Sequence, residues 1–117
     1  MVLPFKEQHR FNSRKAESER IRSRYRDSIP IVCEKALGSH IPRLEKQKYL
    51  VPADLTIGNF LHVLRTRLKL PSDKAMFVFI NEQIPPTAAL MGALHTEQQD
   101  EDGFLYLTYA AENTFGA

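Results

Sequence analysis

The sequence holds a single cysteine, Cys33, in 117 residues. One thiol excludes an internal disulfide framework and a cysteine-built zinc site within one chain. Long apolar runs are missing too. The longest, Met76-Phe77-Val78-Phe79-Ile80, is far short of the roughly 20 residues that cross a bilayer as a helix, and it suits a buried strand. The opening Met1-Val2-Leu3-Pro4-Phe5-Lys6 lacks the apolar core of a secretory signal. These absences point to a cytosolic protein that does not span membranes. Glycine is sparse and scattered (Gly38, Gly58, Gly92, Gly103, Gly116), so no phosphate-cradling loop is visible. No G-x-G-x-x-G, P-loop, H-E-x-x-H or EF-hand pattern occurs. His9, His40, His62 and His95 are equally dispersed, so no metal and no cofactor is expected. Cys33 sits in the strand-like Ile31-Val32-Cys33 and reads as a small buried thiol rather than a nucleophile. The acids Glu97, Asp100, Glu101 and Asp102 lack the alternate spacing of a calcium loop and read as a solvated loop. An enzyme is not expected.

What is present is a core and an uneven charge. Hydrophobic residues make up 43% of the chain, enough for one domain and against wholesale disorder. The net charge of +2 divides into +5 over residues 1–26 and −3 over the remainder. Such a basic segment suits contact with an acidic surface such as a tubulin tail, anionic lipid or nucleic acid. A solvated helix face of mixed charge accounts for it equally simply.

The residue pattern predicts a short helical turn near Phe5. A longer helix follows over "SRKAESERIRSRYRD", capped by Asn12 or Ser13, with a thin apolar stripe of Ala16, Ile21 and Tyr25. Ser28–Lys35 is rich in β-branched residues and predicts a strand, with Pro30 confined to its start, a bulge or an edge. Lys48–Pro52 predicts a second short strand. Ile57, Phe60, Leu61, Leu64 and Leu68 recur at helical steps, with Asp54 or Thr56 as cap and Pro71 as stop. Residues 75–80 and 104–110 predict the third and fourth strands. Asn81-Glu82 forms a turn and a short helix covers 87–94. Two strands, a crossover helix and two more strands is the order of a β-grasp sheet. A right-handed crossover makes a late strand parallel to the first. Within Lys48–Pro52, alternation sends Lys48 and Leu50 to one side and Tyr49 and Val51 to the other. The segment reads as an exposed edge open to an added peptide strand, or as an ordinary core strand.

The stretches "FKEQHRF", "ESERIRSRY", "VCEKA", "KYLVPADLTIGNFLHVLRTRL", "FVFINEQIPPT", "MGAL" and "EDGFLYLTYAAENTFG" together closely resemble the ubiquitin-like modifiers of autophagy, the family of GABARAP and its yeast and light-chain relatives. The resemblance implies an α+β fold: a ubiquitin-like β-grasp of four mixed strands with a crossover helix, plus two N-terminal helices. It divides the chain into a helical extension over 1–26 packed on the same domain, a β-grasp core over 27–111 and a conjugation tail over 112–117. It implies chemistry done to the protein. A processing cysteine protease cuts between Gly116 and Ala117, and activating and conjugating enzymes then transfer Gly116 to phosphatidylethanolamine. Glycine leaves no Cβ to obstruct an enzyme cleft, and two acyl chains give stable anchoring where one is marginal.

The resemblance also implies a groove for cargo receptors and adaptors bearing aromatic-x-x-aliphatic motifs. Glu17, Ile21, Pro30, Val32, Lys48, Leu50 and Phe104 would line its aromatic pocket. Tyr49, Val51, Pro52, Leu55, Phe60 and Val63 would line its aliphatic pocket. Lys46, Lys48 and Arg67 would meet flanking acids. A second docking surface around Phe77, Val78 and Phe79 is implied for some relatives. The basic first segment matches a microtubule-associated one, which makes tubulin a candidate partner. The implied location is cytoplasmic, moving to autophagosomal and endomembrane surfaces after lipidation. Arg26, Ser28, the loop "GSHIPRL" and Gly103 depart from the usual pattern. The alternative is a β-grasp interaction module in vesicle trafficking or microtubule binding that is never conjugated. A nucleic-acid partner is not expected, because the basic residues fall on a helix and the aromatics read as core.

Overall fold

The computed structural model describes residues 3–112. Two N-terminal helices, α1 (Phe5–Gln8) and α2 (Phe11–Arg24), precede β1 (Ser28–Lys35), β2 (Lys48–Pro52), α3 (Ile57–Leu68), β3 (Phe77–Phe79), α4 (Met91–Gln98) and β4 (Leu105–Ala110). The strands form one mixed sheet in the order β2-β1-β4-β3. β1 pairs antiparallel with β2 and parallel with β4, and β3 pairs antiparallel with β4. The expected β-grasp order and the parallel return of a late strand are both present.

β1 is the central strand, covered on both faces, which is why its apolar run is continuous. Ile29, Ile31 and Cys33 face the main core with Phe60 and Leu64 of α3 and with Leu105, Leu107 and Tyr109 of β4. Val32 points the other way and joins Phe5 and Phe104. Pro30 is tolerated here for a geometric reason. The β1–β2 bonds fall on odd-numbered residues, as in Cys33 N–H to the Gln47 carbonyl and Ala53 N–H to the Asp27 carbonyl, each 2.8 Å. Pro30 therefore turns its missing N–H toward β4, and β4 begins to pair only at Ile31.

α3 matches its predicted face. Ile57, Phe60, Leu64 and Leu68 are buried, and the Thr56 hydroxyl accepts the Asn59 N–H at 3.1 Å as cap. The helix stops before Pro71 because Lys69 turns left-handed at φ 54°. The Leu70 N–H then reaches back to the Arg65 carbonyl at 3.0 Å, closing a Schellman motif. Asn81 and Glu82 form the expected turn with φ of 50° and 66°, and Ile80 and Gln83 exchange hydrogen bonds across it.

Several expectations are corrected. α2 begins at Phe11 after Arg10 and has no side-chain cap, so neither Asn12 nor Ser13 serves. Its inward face is not the apolar stripe: Ala16 and Tyr25 are exposed, whereas Arg14 and Ser18 are buried. The short helix covers Met91–Gln98 rather than 87–94, since the residues after Pro86 close a turn, with the Ala89 N–H on the Pro86 carbonyl at 3.0 Å, and Leu90 is bridged to Thr56. The acidic loop is not wholly solvated. Asp102 is 0% exposed.

Asp102 is buried because it is fully partnered. One carboxylate oxygen takes the Arg14 guanidinium at 2.6 Å and the Tyr106 hydroxyl, and the other takes the Phe104 N–H at 2.9 Å. Its backbone carbonyl accepts the Ser18 hydroxyl. The Arg14 Nε also donates to the His9 carbonyl at 3.1 Å, which ties α1 to α2. Nearby, His95 on α4 is buried and donates its Nε2–H to the Gly103 carbonyl at 2.7 Å.

Two predictions follow from these buried polar groups. Arg14→Met leaves the Asp102 charge without its cation, so the urea midpoint is expected to fall by the equivalent of about 3–5 kcal/mol. Lys15→Met at the exposed Lys15–Glu19 pair is expected to cost about 0.5 kcal/mol or less. Equal losses in the two variants would contradict this account. For His95, burial holds the pKa below the ordinary value, the Gly103 bond opposes that shift in part, and Arg22 adds to it. The unfolded chain then binds more protons below about pH 6.5. Stability is therefore expected to fall between pH 7 and pH 5, and His95→Gln should fall less steeply in denaturant titrations.

Candidate functional site

β2 lies at the edge of the sheet, the arrangement its short length and closing proline allow. Because the odd-numbered residues bond to β1, Lys48 and Leu50 direct their N–H and carbonyl groups away from the sheet. An extended chain laid beside β2 meets those groups in antiparallel or parallel register. Pro52 has no N–H and limits how far such pairing runs.

The side chains of β2 divide into two sets. On the α2 side, Lys48 Nζ meets Glu17 of α2 at 2.8 Å, so the ion pair spans from helix to strand. Leu50 is 45% exposed beside its cross-strand neighbour Pro30. Val32 and Phe104 are fully buried beneath, with the Phe5 and Phe104 rings 5.4 Å apart edge to face. Ile21 is half-buried on α2. On the α3 side, Val51 is buried, and the Tyr49 and Phe60 rings meet edge to face at 5.9 Å. The Arg67 guanidinium lies over the Tyr49 ring at 5.6 Å. Burial pushes the Tyr49 hydroxyl pKa up, and Arg67 opposes part of that. Leu55 is half-buried there, while Pro52 and Val63 are exposed. The other members of the two expected linings flank one strand edge, one set on each face of the sheet, whereas Pro52 alternates onto the side of Lys48 and Leu50.

Lys46 belongs to neither lining. It borders a cavity of about 380 Å³ with Phe5, Gln8, His9, Gln47 and Lys48, beyond the α1 end of the groove. Three of the remaining candidates sit at the opposite edge of the sheet. Val78 and Phe79 are buried and Phe77 is half-buried, with Phe77 and Phe79 packed against Ala36 and Ala110. As the chain is folded, that surface presents little of their side chains. Cys33 is 0% exposed, and burial pushes its thiol pKa well above the ordinary value, the reverse of an activated nucleophile. Of the basic residues in 1–26, Lys6 pairs with Asp100, Arg14 with Asp102 and Lys15 with Glu19. Arg10, Arg20, Arg24 and Arg26 lie exposed. Gly116 and Ala117 lie outside the described residues. Among the described residues no group of three or more His, Cys, Asp or Glu is placed to hold a metal, and no helix is long and apolar enough to cross a membrane.

Sequence reasoning missed the residues that seat the α2 wall. Arg14 and Ser18 stand four apart and face inward together, and Asp102 and Tyr106 receive them. The i, i+4 spacing of two polar residues was the available signal, but it is indistinguishable from a solvated face until the partner loop is in place. Gly103 is part of this seat. Its φ is 92°, and a Cβ there would collide with the Ser18 hydroxyl.

Comparison with known proteins agrees on one family. The family model described as "Autophagy protein Atg8 ubiquitin like" matches residues 13–116. Autophagy-related protein 8 of Saccharomyces cerevisiae is 58% identical over 116 residues, covering 99% of this chain and 99% of the relative. The protein of the same name from Emericella nidulans is 58% identical and is covered to 98%. The crystal structure of Trypanosoma brucei ATG8 superposes with a TM-score of 0.89 at 42% identity, covering 99% of this chain and 100% of that one. Plasmodium falciparum Atg8 in complex with a Plasmodium falciparum Atg3 peptide superposes at 0.87 with 34% identity, covering 95% of this chain and 98% of that one.

Proposed function

The chain belongs to the Atg8 ubiquitin-like family of autophagy proteins, and from that premise we propose that it is a modifier conjugated through Gly116 to phosphatidylethanolamine. A cysteine protease first removes Ala117. Activating and conjugating enzymes then carry the Gly116 carboxyl group as a thioester and release it to the lipid amine. The protein is the substrate of this chemistry and supplies no catalytic group of its own. Bound to the membrane, it captures receptors and adaptors whose aromatic-x-x-aliphatic segments add to β2. The observation that carries the capture reading is the edge itself. Lys48 and Leu50 present backbone groups outward, with Val32 and Phe104 packed beneath the α2 face and Val51 and the Tyr49–Phe60 ring pair on the α3 face. That a Plasmodium relative is described with an Atg3 peptide supports a conjugating-enzyme partner for this chain as well.

An aromatic side chain entering beside Val32 and Phe104 displaces little ordered structure but has to open or slide the Glu17–Lys48 pair. That pair is partly exposed, with side chains 25% and 47% accessible, so breaking it costs little. Lys48 is then free to meet an acidic flank of the motif, which favours encounter and register more than affinity.

Two outcomes test the proposal. Gly116→Ala is expected to abolish the lipid-linked form while leaving the thermal midpoint unchanged. Intact mass of the cellular protein should show loss of Ala117 in the wild type. A Gly116→Ala protein that still acquires phosphatidylethanolamine contradicts the assignment. Separately, Leu50→Ala and Lys48→Ala are expected to weaken a motif peptide roughly tenfold or less each, since each removes part of one pocket or one charge. Both variants should still be conjugated. Unchanged peptide affinity in both contradicts the groove assignment.

A further inference from the structure

The loop between β1 and β2 contains a turn whose construction is out of proportion to what it visibly does. The Ser39 N–H closes on the Ala36 carbonyl at 3.2 Å, placing Leu37 and Gly38 at the centre of a four-residue turn. Gly38 has φ 84°, the value a type II turn requires at its third position. The turn is held from several directions. The Ala36 N–H donates to the Tyr109 carbonyl at 2.8 Å, and Lys35 Nζ donates to the Ser39 carbonyl at 2.8 Å. Ser39 is 3% exposed, and its hydroxyl accepts the Ala111 N–H at 3.1 Å. At the tip of this fixed turn stands Leu37, 99% exposed.

A lone exposed leucine is ordinary on a protein surface. Its position gives this one a use. The Ala111–Ser39 bond puts the turn beside the point where β4 ends and the C-terminal tail departs. Gly116 lies five positions beyond Ala111, so an extended chain spans about 17 Å at most between them. A lipid attached at Gly116 therefore keeps the turn close to the bilayer surface. Residues 35–43 carry Lys35, His40 and Arg43 and no acid, which suits an anionic headgroup layer. The acids nearby are Glu34, engaged by the Phe5 N–H at 2.7 Å, Glu45, which lines a cavity with Arg43, and Glu112 at the start of the tail.

We propose that the Leu37-Gly38 turn is a membrane-contact tip that enters the interfacial layer once the C-terminus is anchored, and so sets how the domain stands on the bilayer. The inference rests on the lipid attachment proposed above. One leucine is too weak to bind membranes unaided, so the contact follows anchoring and does not replace it. With the turn and the end of β4 at one end of the sheet, contact at both the turn and the lipid holds the body in one orientation relative to the membrane.

The test couples the lipid chemically, so that it is independent of any conjugating enzyme. The chain ending at residue 116, with Gly116→Cys and Cys33→Ala, is attached to maleimide-bearing phosphatidylethanolamine in vesicles of phosphatidylcholine and phosphatidylserine. The protein has no tryptophan, so Leu37→Trp provides a single reporter and Glu19→Trp on α2 a control. Coupling is expected to shift the emission of the Leu37→Trp reporter to shorter wavelength and to make it severalfold more sensitive to brominated acyl chains. The Glu19→Trp reporter should not move. With Leu37 intact, amide exchange across residues 37–40 should slow severalfold on the vesicles, and Leu37→Ser should return it to the solution rate. Identical spectra free and coupled, or unchanged exchange in the turn, overturns the proposal. Absence of Gly116 lipidation in cells would count against the proposed function and leave the bilayer contact measured here untouched.

Discussion

The architecture around the groove depends on one buried ion pair. α2 lacks an apolar face broad enough to dock, so it is seated by directional polar contacts. Asp102 collects the Arg14 guanidinium, the Tyr106 hydroxyl and the Phe104 N–H, and its carbonyl takes Ser18. Hydrophobic contact alone would tolerate rotation or sliding of the helix. A saturated carboxylate in a dry site does not, because each displaced bond leaves a buried polar group unmet. The rotation thus set places Glu17 and Ile21, on either side of Ser18 in sequence, as one wall of the groove. Gly103 belongs to the same constraint. Its left-handed backbone lets the Asp102–Phe104 turn approach α2 closely enough for these bonds to form.

The second constraint is the sheet edge. Three strands bury their ladders or end quickly, but β2 leaves alternate backbone groups of Lys48 and Leu50 pointing outward. In a free strand this is an aggregation hazard, held in check here by brevity, a flanking proline and a lysine. The same groups are what a captured peptide needs. Recognition of this kind takes its affinity from the backbone and its selectivity from the pockets, so residues far apart in sequence act together without any catalytic geometry. The chain beyond Ala110 leaves from the end of β4, an interior strand separated from β2 by β1.

Much of the fold was legible in the residue pattern. α3 followed from apolar spacing, a threonine cap and a proline stop, all local signals. β1 follows from β-branched residues; Pro30, expected at a strand start, bulge or edge, is the third residue of β1, paired with Leu50 on the β2 side and ahead of the first residue that pairs with β4. Misplacements came where local rules met tertiary partners. Apolar spacing on α2 points Ala16 and Tyr25 inward, whereas Arg14 and Ser18 hold that face, because only the folded loop supplies Asp102. The helix expected over 87–94 lies at Met91–Gln98, since residues 86–89 close a turn and Leu90 bridges Thr56. Asp102 looked like one of several solvated acids, and nothing in its neighbours separates it from Glu101.

By itself the sequence determined the family, through motifs specific enough to identify it across nearly the whole chain. It also determined the parity of β2, because side-chain alternation is a property of any extended strand. Only the tertiary structure decided that β2 is an edge and that the Leu37 turn stands beside the end of β4. Those facts depend on which strand pairs with which, and pairing is set by contacts between residues tens of positions apart. Local sequence carries no record of such contacts until the chain has closed them.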